Sequence, residues 1–148
     1  MTFTTWQRRR LFVVENYVRL FLKTIYRYRR EGRFQLHAFV VMPEHVHLLL
    51  TPANNVTIEH AVQLIKGGYS HALGTTWGRT REIWQRGFTD HRIRNGQDFL
   101  DHENYIHQNP VERHLVTEAS VYRYSSAFPG FKLDPWTAAA KAEFSKSA

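Results

Sequence analysis

The stretch VVMPEHVHLLL, Val40 to Leu50, places two histidines one residue apart inside an otherwise apolar run. Pro43-Glu44 interrupts the run, so RFQLHAFVVM before it and HVHLLLT after it read as two strands of a tight hairpin. Side chains alternate along a strand, which sends His45, His47 and Leu49 one way and Val46, Leu48 and Leu50 the other. The Val-Leu-Leu side has the character of a core covered by helices. The two imidazoles share the opposite, more open face, where neighbouring Cβ atoms let both rings reach one ion.

Working outward, Thr2–Phe12 (TFTTWQRRRLF) is rich in Thr and aromatics and is expected to be a strand. In VENYVRLFLKTIYRYRREG, Val14, Val18, Phe21, Leu22 and Ile25 recur at helical spacing. The run ends in arginines and Gly32, a helix C-terminus with cations that suit the helix dipole. Thr57 is a plausible N-cap for a second helix with Ile58, Ala61, Val62 and Ile65 on one side, which Gly67-Gly68 is expected to interrupt or end. EIWQRGFTDHRIRN is then expected as a strand, Asn95-Gly96 as a turn, and a further helix from about Asp98 into NPVERHL.

The order β-α-β-β-α-β plus a helix matches a ferredoxin-like α+β sandwich, an antiparallel sheet with both crossover helices on one face. Its other face needs a cover or a ligand. That fold fixes no function by itself. The domain is expected to span 1–130, followed by a tail, 131–148, with a possible short helix in PWTAAAKAEF.

Composition narrows the function classes. The 148 residues suit one domain, and Lys+Arg 20 against Asp+Glu 13 gives +7. Fifteen of the basic residues are Arg, whose planar fork matches phosphate oxygens and points to a polyanionic partner. Zero cysteines exclude disulfides, thiolate zinc sites and cysteine nucleophiles, which suits a reducing cytoplasm. No apolar run approaches the roughly 20 residues of a membrane span, and the start lacks the core of a signal peptide. The expectation is a soluble, cytoplasmic protein with no membrane partner.

An H-x-H pair on a sheet face also reads as two half-buried polar residues, and becomes specific only with a third ligand. Of the other histidines, His91 in the expected last strand is the one to keep. In DFLDHENYIHQNP, helical geometry puts Tyr105 and Asn109 one turn apart on a common stripe with His102. Seven tyrosines make packing the ordinary role for any one of them, and Asn-Pro is a common helix exit, so spacing alone does not single out this pair.

VVMPEHVHLLL followed by YIHQNPVERHLV resembles the single-tyrosine HUH transposases, and within them the bacterial REP-associated tyrosine transposases. TFTTWQRRRLF, IKGGYS, IWQRGFTDHRI and YRYSSAFPG carry the likeness in order to about Gly130. It implies that Tyr105 is the nucleophile, that His45, His47 and Asn109 hold a metal, and that single-stranded DNA is cleaved and rejoined through a 5′-phosphotyrosine. Mg²⁺ or Mn²⁺ suits two imidazoles and an amide oxygen, and hairpin DNA is the expected partner. Two departures stand out: Glu44 where the family usually has Asn, and His114 where glycine is usual.

Arg8, Arg9, Arg10, Lys66, Arg86, Arg92 and Arg94 are candidate phosphate contacts, with Trp84, Phe88 or Tyr69 available for base stacking. A non-catalytic binder of structured DNA or RNA, or a phosphoesterase using water, would need the same basic surface. The chain is expected to act as a monomer or homodimer.

Overall fold

The hairpin forms where strand alternation puts it. In the computed structural model, which describes residues 1–78 and 81–137, β2 (Phe34–Val41) and β3 (His45–Pro52) pair antiparallel with Val40 opposite His47 and Val41 opposite Val46. On the far side of β3 lies β1 (Thr2–Thr4), which gives the order β1-β3-β2 with Thr2 opposite His47 and Thr4 opposite His45. Residues Thr-Phe-Thr alternate as well: Phe3 enters the core that holds Val46 and Leu48.

That core is closed by two helices. From α1 (Glu15–Arg30) come Val18, Phe21 and Ile25, and from α2 (Ile58–Trp77) come Val62, Ile65, Tyr69 and Leu73, all buried with Phe3, Phe12 and Trp84. Phe12, Phe21, Tyr69 and Trp84 form a ring cluster with centroids 5.4 to 5.9 Å apart, within the range favoured by aromatic pairs. Thr57 caps α2 as expected, its hydroxyl accepting from the His60 N–H at 3.1 Å. Gly67-Gly68 does not interrupt the helix. The Tyr28 ring of α1 lies so close to the backbone at Gly68 that any Cβ there would collide with its hydroxyl, so this glycine serves helix contact instead of helix termination.

Two expected strands are shorter than their sequences suggest. β1 stops at Thr4 because the chain turns through Trp6–Arg8 and Leu11–Val13, with Gln7 and Arg8 at φ 53° and 52°. Buried Thr5 holds that turn, its N–H donating to the Glu44 carbonyl at 2.9 Å and its hydroxyl to the Arg9 carbonyl at 2.6 Å. The expected last strand survives as bonds at two points along β1: the Gln85 N–H to the Thr4 carbonyl, and a reciprocal pair between Thr2 and Thr89. Between them the chain bulges through Gly87 (φ 80°), and the Lys66 ammonium donates to the carbonyls of Gln85 and Gly87. The ferredoxin-like strand order is kept, with a broken fourth strand at its edge.

The second sheet face is covered by α3 (Gly96–Glu112), whose Ile106 packs against Ala38, Val40, Met42 and Leu49. Asn95 caps its start by accepting from the Asp98 N–H at 2.9 Å. Its end is a Schellman turn, His114 N–H to the Val111 carbonyl and Leu115 N–H to the Pro110 carbonyl, with His114 in the left-handed region at φ 60°. Beyond it, residues 124–134 line the outer edge of β2: Val41 donates to Tyr124, Ser126 donates to Phe39, and the Asp134 carboxylate accepts from Leu36 N–H and from Arg29 through two bonds of 2.9 Å. The short helix expected in PWTAAAKAEF falls mostly outside the described residues. No helix among the described residues is long and apolar enough to cross a membrane.

Candidate active site

Strand parity brings His45 and His47 onto the face under α3, where their Nε2 atoms lie 3.1 Å apart with the rings edge to face. Each ring is oriented from behind. The Glu44 carboxylate takes the Nδ1 of His45 at 2.8 Å, and the Thr2 hydroxyl meets the Nδ1 of His47 at 2.7 Å. Both Nε2 atoms are thereby aimed at one place, the arrangement that outer-shell partners give to metal-binding histidines.

From above, α3 supplies the rest. Asn109 is 4% exposed, and its Oδ1 is, among the described residues, the one buried side-chain polar atom without a hydrogen-bond partner. An orphaned buried oxygen costs on the order of 1–3 kcal/mol, so a native site that keeps one has a use for it. One turn earlier Tyr105 is 51% exposed, with its ring edge on His47 at a centroid distance of 5.4 Å. A cavity of about 380 Å³ opens beside His47 and Tyr105, lined also by Thr2 and Ile106 and by His91 and His102.

The electrostatics suit metal binding. Burial, reinforced by His45, the amino terminus and Arg113, pushes the His47 imidazole down to about 3. Burial also lowers His45, outweighing the opposing pull of Glu44, while Arg113 and Arg8 add to the lowering. Both rings are therefore neutral near pH 7 and have lone pairs to offer. Two neutral imidazoles and a free amide oxygen are donors of the kind that fit a divalent cation.

Residues 1–109 match the sequence model of the family described as "Transposase IS200 like". The chain belongs to that family. It is 34% identical over 103 residues to the REP-associated tyrosine transposase of Escherichia coli (strain K12), a match covering 69% of this chain and 59% of that protein. A putative REP-associated tyrosine transposase of Haemophilus influenzae is 30% identical over 103 residues, covering 63% and 58%. The match thus spans under three fifths of the length of these curated relatives. A solved structure of a REP-associated tyrosine transposase bound to a REP hairpin superposes with a TM-score of 0.73 at 28% identity, covering 93% of this chain and 87% of that one.

Around this IS200-like centre the expected nucleic-acid contacts separate into several groups. Arg8 and Arg10 are exposed beside the hairpin turn, and Arg86, Arg92 and Arg94 are exposed along the segment leading into α3. Arg9 is engaged by the carbonyls of Trp6 and Glu82, and Lys66 by those of Gln85 and Gly87, so these two cations tie down loops. Tyr69 and Trp84 cannot stack on bases, because both are buried in the helix-side core, and Phe88 is partly buried against it. Of the three, Phe88 is the most exposed.

His91 does not complete the histidine pair by a direct bond. Its Nε2 meets the Asp98 carboxylate at 3.0 Å and its ring stacks on His102 with centroids 4.1 Å apart, so that donor atoms of His91, Asp98 and His102 fall within 4.8 Å of one another. Sequence reasoning missed Thr2, Glu44 as a partner of His45, and Arg113, whose Nη1 lies 3.6 Å from Glu44. Strand alternation on β1 could have found Thr2. Nothing local signals Arg113.

Proposed function

We propose that this IS200-like transposase cleaves and rejoins single-stranded DNA by transesterification, with Tyr105 as nucleophile and His45, His47 and Asn109 as the protein ligands of a divalent cation, Mg²⁺ or Mn²⁺. The observation that carries the reading is the orphaned Oδ1 of Asn109, buried one turn from an exposed tyrosine and on the face where two neutral imidazoles converge. A packing role for Asn109 would leave that oxygen with a partner; a ligand role explains why it has none.

In the proposed step the Tyr105 oxygen forms a bond to the scissile phosphorus as the P–O3′ bond breaks. The phenol gives up its proton and the leaving 3′-oxygen gains one, which leaves a 5′-phosphotyrosine and a free 3′-OH. Attack by another strand's 3′-OH on the phosphotyrosine reverses the bond changes, so rejoining needs no external energy source. When bound, the cation supplies polarisation of a non-bridging phosphate oxygen and stabilisation of charge building at phosphorus. Exposure of Tyr105 lets a strand reach it, and the ring's contact with His47 holds it beside the cation ligands. Arg8 and Arg113 add positive charge near His45, which favours an anionic strand there.

The substrate proposed is a DNA hairpin with adjoining single strand, as the relative solved with a REP hairpin suggests. The test is incubation of labelled hairpin oligonucleotides with the protein and Mn²⁺, followed by denaturing gels. A protein–DNA adduct stable in SDS is expected from the wild type and absent from Tyr105→Phe. An adduct that persists in Tyr105→Phe overturns the assignment of the nucleophile.

A further inference from the structure

We propose that Glu44 is a positioning residue that fixes which nitrogen of His45 is free to take a metal. This rests on the metal-ligand reading of His45, His47 and Asn109 given above. The two histidines are held by unlike groups. The Thr2 hydroxyl against His47 can donate or accept, and so tolerates either tautomer of that ring. A carboxylate only accepts. With the Glu44 oxygen 2.8 Å from Nδ1, His45 carries its proton on Nδ1 and turns an Nε2 lone pair toward His47.

That asymmetry assigns the protons of the pair. Two Nε2 atoms 3.1 Å apart form a hydrogen bond only if one of them bears hydrogen, and Glu44 leaves that role to His47. Metal capture then requires only His47 to move its proton to Nδ1, which the rotatable Thr2 hydroxyl accommodates by accepting. One ring is preset and the other adapts. An amide at position 44 would not enforce this, because it presents a donor as readily as an acceptor and carries no charge.

The backbone at Glu44 is anchored, its carbonyl accepting from the Thr5 N–H at 2.9 Å, and its side chain is 17% exposed. Arg113 lies 3.6 Å from the same carboxylate oxygen that meets His45, and its own N–H bonds the Asn109 carbonyl at 3.0 Å. Glu44 therefore sits between the hairpin that carries the histidines and the helix end that carries Asn109.

The experiment measures Mn²⁺ affinity of the full chain by electron paramagnetic resonance, in wild type, Glu44→Gln, Glu44→Ala and His45→Ala. Long-range ¹H–¹⁵N spectra read the His45 tautomer without metal, and thermal melting checks that each variant is folded. Expected are an Nδ1–H His45 in the wild type, a mixed tautomer in Glu44→Gln, and affinity weakened about 10- to 100-fold in Glu44→Ala, with a smaller loss in Glu44→Gln. Glu44→Gln serves should Glu44→Ala fail to fold. Affinity within twofold of wild type and an unchanged tautomer in the folded Glu44 variants overturn the proposal. If His45→Ala loses Mn²⁺ in that case, the metal site stands and only the role of Glu44 falls; if His45→Ala keeps wild-type affinity, the metal site itself falls and the proposal with it.

Discussion

The two faces of the sheet are made from alternate residues of the same strands, yet they obey different rules. On the helix-covered face Phe3, Val46 and Leu48 join α1 and α2 in a core built mainly of apolar and aromatic side chains. On the α3 face Thr2, His45 and His47 share the interface with Asn109, and one buried oxygen is left unpaired. The first face gains stability from apolar area removed from water. The second gives some of that up to hold nitrogen and oxygen donors in fixed positions, which is how binding sites differ from packing.

His47 and Leu48 are adjacent in sequence and point to opposite faces, so they separate the two roles most sharply. His47→Ala should lower metal-dependent adduct formation by at least about 100-fold, since loss even of an outer-shell partner costs 10–100-fold; single-turnover cleavage assays read it, and cooperative melting should persist. Leu48→Ala should cost about 2–5 kcal/mol of folding stability in denaturant titrations, while the molecules that remain folded keep their cleavage rate. If the two substitutions had the same signature, the division between faces would be wrong.

Asn109→Leu carries the comparison one step further. It replaces an unsatisfied buried oxygen by apolar volume and is expected to raise stability by on the order of 1 kcal/mol while abolishing Mn²⁺ binding. A fall in stability would mean that the amide has a structural partner. The smallest effect is expected away from both faces. His114 occupies the left-handed position of the turn that ends α3, so His114→Gly should add a few tenths to about 1 kcal/mol, read as a higher denaturation midpoint, with no change in cleavage.

Local patterns carried most of the fold. The alternation in VVMPEHVHLLL fixed which side chains share a face, the spacing of Val18, Phe21 and Ile25 marked α1, and Thr57 marked the start of α2. What local pattern missed depended on distant partners. Gly68 looked like a helix breaker because Tyr28, forty residues away in the chain, is invisible to the pattern around it. The last strand looked regular because nothing in EIWQRGFTDHRIRN reveals that Lys66 holds the loop at Gln85 and Gly87. Trp84 and Tyr69 looked available to bases for the same reason. At the site, the histidines were legible from parity, but Tyr105 and Asn109 stood out only through family likeness. An unpaired carbonyl oxygen cannot be read from a sequence at all.

The strap of residues 124–134 along β2 bears on assembly. An exposed strand edge is a template for another chain, and here the outer edge of β2 is already spoken for by Tyr124, Ser126 and the Asp134 clasp with Arg29. A second copy could extend this sheet through β2 only by peeling that strap away and breaking a bidentate ion pair. Any pairing of two chains that leaves each fold intact must therefore be built from side-chain surfaces at that end of the sheet, not from shared strands.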